Sequence, residues 1–176
     1  AMMMLDELRS QTMLAKKAGV DVTAISHMNV WGNHSATQFP DVYHALINGE
    51  NAFARINDQK WVEETFLPTI QQRGAAVIKQ RGASSAGSAA NAVIQSIYNF
   101  THDTPAGQTF STAKYSQGEY GIEPGLMFSF PCRTENGKVV TVEGIQHSEY
   151  ALQQIQKSHD ELRAERDMVK QLGLIN

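Results

Sequence analysis

Val30-Trp31-Gly32-Asn33-His34-Ser35-Ala36-Thr37-Gln38 is the stretch from which the rest of the chain is read. A short apolar run, Met28 to Trp31, gives way at once to small and polar residues. That is the pattern of a buried strand ending at the rim of a pocket. His34 stands at the break. The histidine pKa lies nearest to neutrality, so a side chain placed there can both take and give a proton. What would orient it, and what would hold a substrate against it, must come from elsewhere in the chain.

The chain has 176 residues, 41% hydrophobic and 19% charged, which is enough for one domain, residues 1–176, with a sizeable core. Net charge is -3 and no Lys/Arg block stands out, so a nucleic-acid surface has no electrostatic footprint. The one cysteine, Cys132, excludes an internal disulfide and points to a reducing, cytoplasmic compartment. No apolar run approaches the ~18 residues of a membrane span. The opening Ala1-Met2-Met3-Met4-Leu5 is too short for a signal peptide and carries no basic region. A charged helix follows it directly, which raises the expectation that further sequence lies upstream.

Residues 5–19 have helical spacing through Leu5, Leu8, Met13, Leu14 and Ala18, with Gly19 as the stop. Asp6 and Arg9, at i and i+3, share one side of this helix, and their plain reading is a surface ion pair worth little. Asp21 to Ser26 reads as a connector, Met28 to Trp31 as a short strand, and Thr37 to Tyr43 as an extended edge segment because of Pro40. Ala52 to Ile56 is expected to be another short strand. Asn57-Asp58 should cap a helical pattern from Lys60 to Arg81, which Pro68 should kink or split. The small-residue run Gly82 to Ala90 leads into a helix over Asn91 to Phe100. It lacks both phosphate-loop patterns, and its small side chains suit a close backbone approach. Residues 108–145 are strand-rich, with Phe128, Phe130 and Cys132 on one face and Asn136-Gly137 as a hairpin turn. Ser148 to Leu172 is a long helix whose buried stripe is expected at Leu152, Ile155, Leu162 and Val169. Helices and strands come in blocks rather than alternating, so the fold class is α+β: antiparallel strands packed with long helices.

None of the six histidines forms a recognisable metal spacing, so no metal is expected. Cys132 sits mid-strand and reads as core. Ser35 follows His34, but no Gly-x-Ser-x-Gly elbow is present, which leaves hydrolysis a weak second class.

Two segments carry a resemblance. Leu5-Asp6-Glu7-Leu8-Arg9 is similar to the Leu-Asp-x-x-Arg motif of the lactate/malate dehydrogenase superfamily. Trp31-Gly32-Asn33-His34-Ser35-Ala36-Thr37-Gln38-Phe39-Pro40-Asp41 resembles the Trp-Gly-Asn-His-Ser-x-Thr-Gln-Tyr-Pro-Asp signature of malate dehydrogenases of the cytosolic and related bacterial type. Gln71 to Ile78 and Ser84-Ser85-Ala86 match the same branch in the same order. The resemblance spans essentially the whole chain and corresponds to the C-terminal, substrate-binding half of such an enzyme. Leu8 and Ser10 depart from the branch, which usually has Asn and Ala there.

The resemblance implies roles. His34 matches the catalytic histidine, Asp6 the aspartate that pairs with it, and Arg9 the arginine that grips the substrate carboxylate. Ser84 matches a small hydroxyl residue near the substrate pocket. The chemistry suits the types. Malate oxidation removes a hydroxyl proton, which neutral histidine accepts, while arginine offers a two-point fork that lysine lacks. The resemblance further implies NAD as cofactor, malate and oxaloacetate as ligands, and a homodimer to which the Lys60 to Arg81 helices contribute. Nothing in the sequence resembles the N-terminal Rossmann half, so the chain alone is expected to bind NAD poorly and turn over little. Two other readings remain: a non-catalytic remnant serving as a dimerising or interaction module, and a dehydrogenase for another 2-hydroxy acid.

Overall fold

The structure is a computed structural model and describes residues 1–175. Helix α1, Met2–Ala18, ends where Gly19 turns left-handed (φ 67°) and returns its N–H to Ala15 O. Five consecutive residues of α1, Met3 to Glu7, are buried. Such a run cannot come from one amphipathic stripe. The helix is instead central, packed against α5 (Gly87–Thr101) on one side and β6 (Phe110–Tyr115) on another. The Asp6–Arg9 pair is therefore not a surface ion pair.

A 3-10 turn at Val22–Ala24 leads into short strands: β1 Ile25–Ser26, β2 Val30–Trp31, β3 Phe39–Pro40, β4 Leu46–Ile47 and β5 Glu50–Asn51. Two small sheets result, β1-β4-β5 and β2-β3. In the second, Val30 faces Pro40 and Trp31 faces Phe39. Pro40 has no N–H to offer a further strand, and β3 lies at an edge. The third sheet, β6-β7-β8, contains β7 Met127–Glu135 and β8 Lys138–Thr141. Its β7-β8 turn puts Asn136 and Gly137 at φ 51° and 72°, the left-handed pair that a tight hairpin requires. All strand pairings among the described residues are antiparallel.

Ala52–Ile56 is a helix, α2, and not the expected strand. The Asn51 side chain accepts from Ala54 N at 2.9 Å and starts the helix, a local bond that outweighs the weak strand pattern. Asp58 caps the next helix as expected, accepting from Trp61 N at 3.0 Å. That helix runs as α3 (Gln59–Trp61), a π-turn (Val62–Phe66) and α4 (Leu67–Arg81). Pro68 does not split it. Leu67 N bonds Val62 O, five residues back, so a widened turn lies directly ahead of the proline. The extra residue accommodates a ring that would oppose the carbonyl one turn earlier. Gly82 (φ 70°) closes α4, and part of the small-residue run, from Gly87, forms the first turn of α5.

Helix α6, Glu149–Gln171, is capped by Ser148 accepting from Ala151 N. Its buried side is Ala151, Ile155, Ser158, His159 and Leu162. Leu152, expected in the stripe, points outward and is exposed. Ile155 and Leu162 are buried as expected; Ser158 faces inward because it packs on a polar loop, described below, and His159 because its Nε2 accepts from Glu123 N at 3.1 Å. Trp31, Phe39, Phe66, Phe128 and Phe130 form the centre of one connected core. Cys132 lies within it, and burial pushes its thiol pKa up to about 12, so it stays a neutral core group. No helix among the described residues is long and apolar enough to cross a membrane.

Candidate active site

The site is assembled from α1 and the loop that leaves β2. Gly32 (φ 98°) turns the chain and exchanges backbone hydrogen bonds with Ser129 of β7, at 3.1 and 2.9 Å. A Cβ there would stand 2.7 Å from Ser158 Cβ of α6, so only glycine fits. Helix α6 grips the residues that follow. Asn33 N donates to Ser158 Oγ at 2.7 Å, and Asn33 Nδ2 donates to Glu161 at 3.2 Å. The Ser35 and Thr37 hydroxyls donate to the same Glu161 oxygen. Partial burial works against the Glu161 charge, yet the hydrogen bonds from Ser35, Thr37 and Asn33 hold its pKa below the usual carboxylate range. Ser158 and Glu161 were not found by sequence reasoning. Their partners lie at the other end of the chain, and neither forms a local pattern.

His34, in the middle of this loop, brings Nδ1 to 2.7 Å from Asp6 Oδ2. The Asp6 side chain is 1% exposed and that of His34 is 40% exposed. The approach is close but oblique. Oδ2 accepts no aligned hydrogen bond, as is common in sites without substrate. The other oxygen, Oδ1, accepts from Arg9 Nη1 at 2.9 Å. One buried carboxylate thus stands between a histidine and an arginine. All three line a cleft of about 390 Å³ with Gln38, Ile70 and Gln71. Gln71 Nε2 donates to Gln38 O at 2.8 Å and so seats α4 on the loop.

Ser84 is exposed, and only its carbonyl is engaged, by Arg81. The hydroxyl that reaches Arg9 belongs to the next residue, Ser85, whose Oγ is 3.4 Å from Nη2. The expected serine contact is therefore displaced by one position.

Glu7, beside Asp6, is fully buried and accepts from Ser111 N at 2.6 Å. Desolvation raises its pKa to about 7 against these hydrogen bonds. A second polar cluster joins Asp41, His44 and His147, which sequence spacing alone does not bring together. The bond to Asp41 raises the His44 pKa, and burial lowers that of His147.

His34 and Arg9 open onto the cleft, and the buried Asp6 carboxylate backs them both. The described residues contain no parallel strand–helix unit to receive a dinucleotide.

Fold and cluster together define the class first: the oxidoreductase architecture shared by lactate and malate dehydrogenases. The family follows. A family model described as "lactate/malate dehydrogenase, alpha/beta C-terminal domain" matches residues 4–172, and the chain belongs to that family. Among solved structures it is similar to malate dehydrogenase from Naegleria fowleri, at 39% identity and TM-score 0.87, covering 96% of this chain and 52% of that one. It is similar to Trichomonas vaginalis lactate dehydrogenase in complex with NADH and oxamate, at 29% identity and TM-score 0.90, covering 98% and 54%. Malate dehydrogenase from Plasmodium falciparum shares the fold at 21% identity and TM-score 0.79, covering 97% and 54%. The chain spans about half the length of each of these.

Proposed function

We propose that this chain is the substrate-side domain of an NAD-dependent malate dehydrogenase and supplies its proton-transfer and carboxylate-binding groups. The observation that carries the reading is the 2.7 Å approach of His34 Nδ1 to the buried Asp6 carboxylate, with Arg9 on the same carboxylate. With Nδ1 turned to Asp6, Nε2 is the nitrogen left for substrate. His34 Nε2 takes the hydroxyl proton as the alcohol becomes a ketone, and Asp6 stabilises the imidazolium that forms. In the reverse direction the imidazolium polarises the ketone and returns the proton. Arg9 turns its guanidinium to the carboxylate beside the reacting carbon and fixes its orientation. NAD, when bound, supplies the hydride acceptor.

Malate is favoured over lactate by the Trp31 to Asp41 signature and by the higher identity to the Naegleria malate dehydrogenase. The fold favours neither, since the lactate dehydrogenase superposes equally well. That likeness supports the second reading, another 2-hydroxy acid. The test is NADH production with malate or lactate by this chain joined to a nucleotide-binding half. Malate-dependent activity well above lactate-dependent activity is the expected result. Preference for lactate transfers the assignment to the second reading. Inactivity with both, in a folded protein that binds NADH, makes the chain a non-catalytic module.

A further inference from the structure

Asp41 and His44, three residues apart, meet the sequence-distant His147 beside the Trp31 indole, outside the cleft described above. His44 Nδ1 lies 2.7 Å from Asp41 Oδ2, and His147 Nδ1 lies 3.9 Å from the same oxygen. One donor atom from each of the three falls within 4.8 Å of the others.

The decisive side chain is His147. It is 3% exposed, yet neither ring nitrogen has a hydrogen-bond partner. Burying two polar atoms without partners is costly, and such a group in a folded protein calls for something to satisfy it. Its ring is held edge-on between Trp31, at 4.6 Å between centroids, and His44, at 5.2 Å. Packing thus fixes the orientation of its nitrogens without occupying them.

The neighbours are arranged as the outer contacts of a metal site are. The Gln146 carbonyl engages His44 Nε2 at 2.9 Å, which leaves Nδ1 as the nitrogen toward Asp41. Asp41 is itself anchored, with Tyr43 N donating to Oδ1 at 3.1 Å and Trp31 Nε1 to Oδ2 at 3.2 Å. A tetrahedral ion with bonds of about 2.1 Å separates its ligand atoms by about 3.4 Å. The observed 2.7 and 3.9 Å lie on either side of that value and the three atoms all fall within 4.8 Å of one another, so side-chain rotation of the two histidines would bring the set to bonding distance.

We propose that Asp41, His44 and His147 form a binding site for one divalent transition-metal ion of the zinc class. Two imidazoles and a carboxylate are a donor set that suits zinc, with a fourth position open to water. His44, whose side chain is 30% exposed, gives the ion its way in.

The experiment is titration of the metal-free chain with Zn²⁺ by calorimetry, and with Co²⁺ by visible absorption. One equivalent should bind, with the spectrum of a four-coordinate Co²⁺ ion. His147→Ala and His44→Ala should each weaken binding by more than the roughly 10–100-fold that loss of an outer contact costs. His102→Ala, at an exposed histidine, should leave affinity unchanged. Circular dichroism and melting in chelator establish that each variant is folded. Should His147→Ala not fold, Zn²⁺-induced shifts of the His44 and His147 ring nitrogens in the unaltered chain give the same answer. Affinity unchanged in a folded His147→Ala, or ring signals of His147 unmoved by Zn²⁺, overturns the proposal. So does a Zn²⁺ affinity no greater than that of the exposed histidines.

Discussion

Asp6 has two neighbours, His34 and Arg9, and one carboxylate with which to serve them. In the present arrangement Oδ1 is engaged by Arg9 and Oδ2 lies beside His34. An arginine recruited by substrate would leave the histidine as the principal partner of Asp6, strengthening the contact when the imidazolium forms. In the chain joined to a nucleotide-binding half, His34→Ala should lower the malate oxidation rate by roughly 10²–10⁴-fold, the usual range for a general acid/base. Asp6→Asn should lower it as well, with kcat falling more than KM rises. An unchanged rate in either variant removes that residue from the site. The adjacent Glu7 makes a separate prediction. Its carboxyl titrates at about 7 in the fold against an ordinary 4.5, so the folded state holds an extra proton between those values. Stability is then highest below pH 4.5 and falls as the pH rises through 7, by roughly 3 kcal/mol if this group acts alone. Glu7→Gln should flatten that decline, and urea unfolding at pH 5, 6, 7 and 8 measures it. An equal slope in the two proteins would place the titration elsewhere. His34 was legible in the sequence where the apolar run breaks, but Asp6 and Arg9 only through the resemblance. Helical spacing placed Asp6 and Arg9 on one side, but the burial that turns a surface pair into a site depends on α5 and β6, which no local pattern announces.

Among the elements, those with local causes were the readable ones. Gly19, Asp58, Asn136-Gly137 and Ser148 each fix a helix end or a turn through bonds within a few residues, and each stands where the sequence placed it. Ala52–Ile56 was misread because a single side-chain bond from Asn51 decides its start. The stripe of α6 is as expected at Ile155 and Leu162 and differs at Leu152, for the opposite reason. Its partner is a polar loop, so Ser158 faces inward while Leu152 does not. That packing is close enough to test. Gly32→Ala would force Ser158 and α6 away from the loop. It should cost about 1–3 kcal/mol from overpacking, with strain at the positive φ in addition. A melting temperature unchanged in Gly32→Ala would mean that α6 does not clamp the loop in solution. Ser158→Ala removes the bond to Asn33 N while leaving more space, and it should be the milder of the two.

For the molecule as a whole, the open question is what covers α5. Val93, Ile94, Ile97 and Tyr98 of that helix are exposed together. An apolar surface of this kind marks an interaction face. The family resemblance implies a homodimer contact through the Lys60 to Arg81 segment, and we propose that the exposed residues extend it to α5. Ile94→Glu with Ile97→Glu should shift the chain from dimer to monomer in sedimentation velocity without changing its circular dichroism. A monomer before substitution would assign the face to some other surface. A further consequence concerns the order in which the chain is made. The groups that arrest the His34 loop, Ser158 and Glu161, lie 121 to 128 positions further along than the residues they hold. During synthesis the ribosome therefore releases the loop long before its clamp exists. Until α6 emerges, the nascent polypeptide carries His34 on an unsecured segment, open to proteases and to chaperones that bind exposed apolar stretches such as Val30-Trp31.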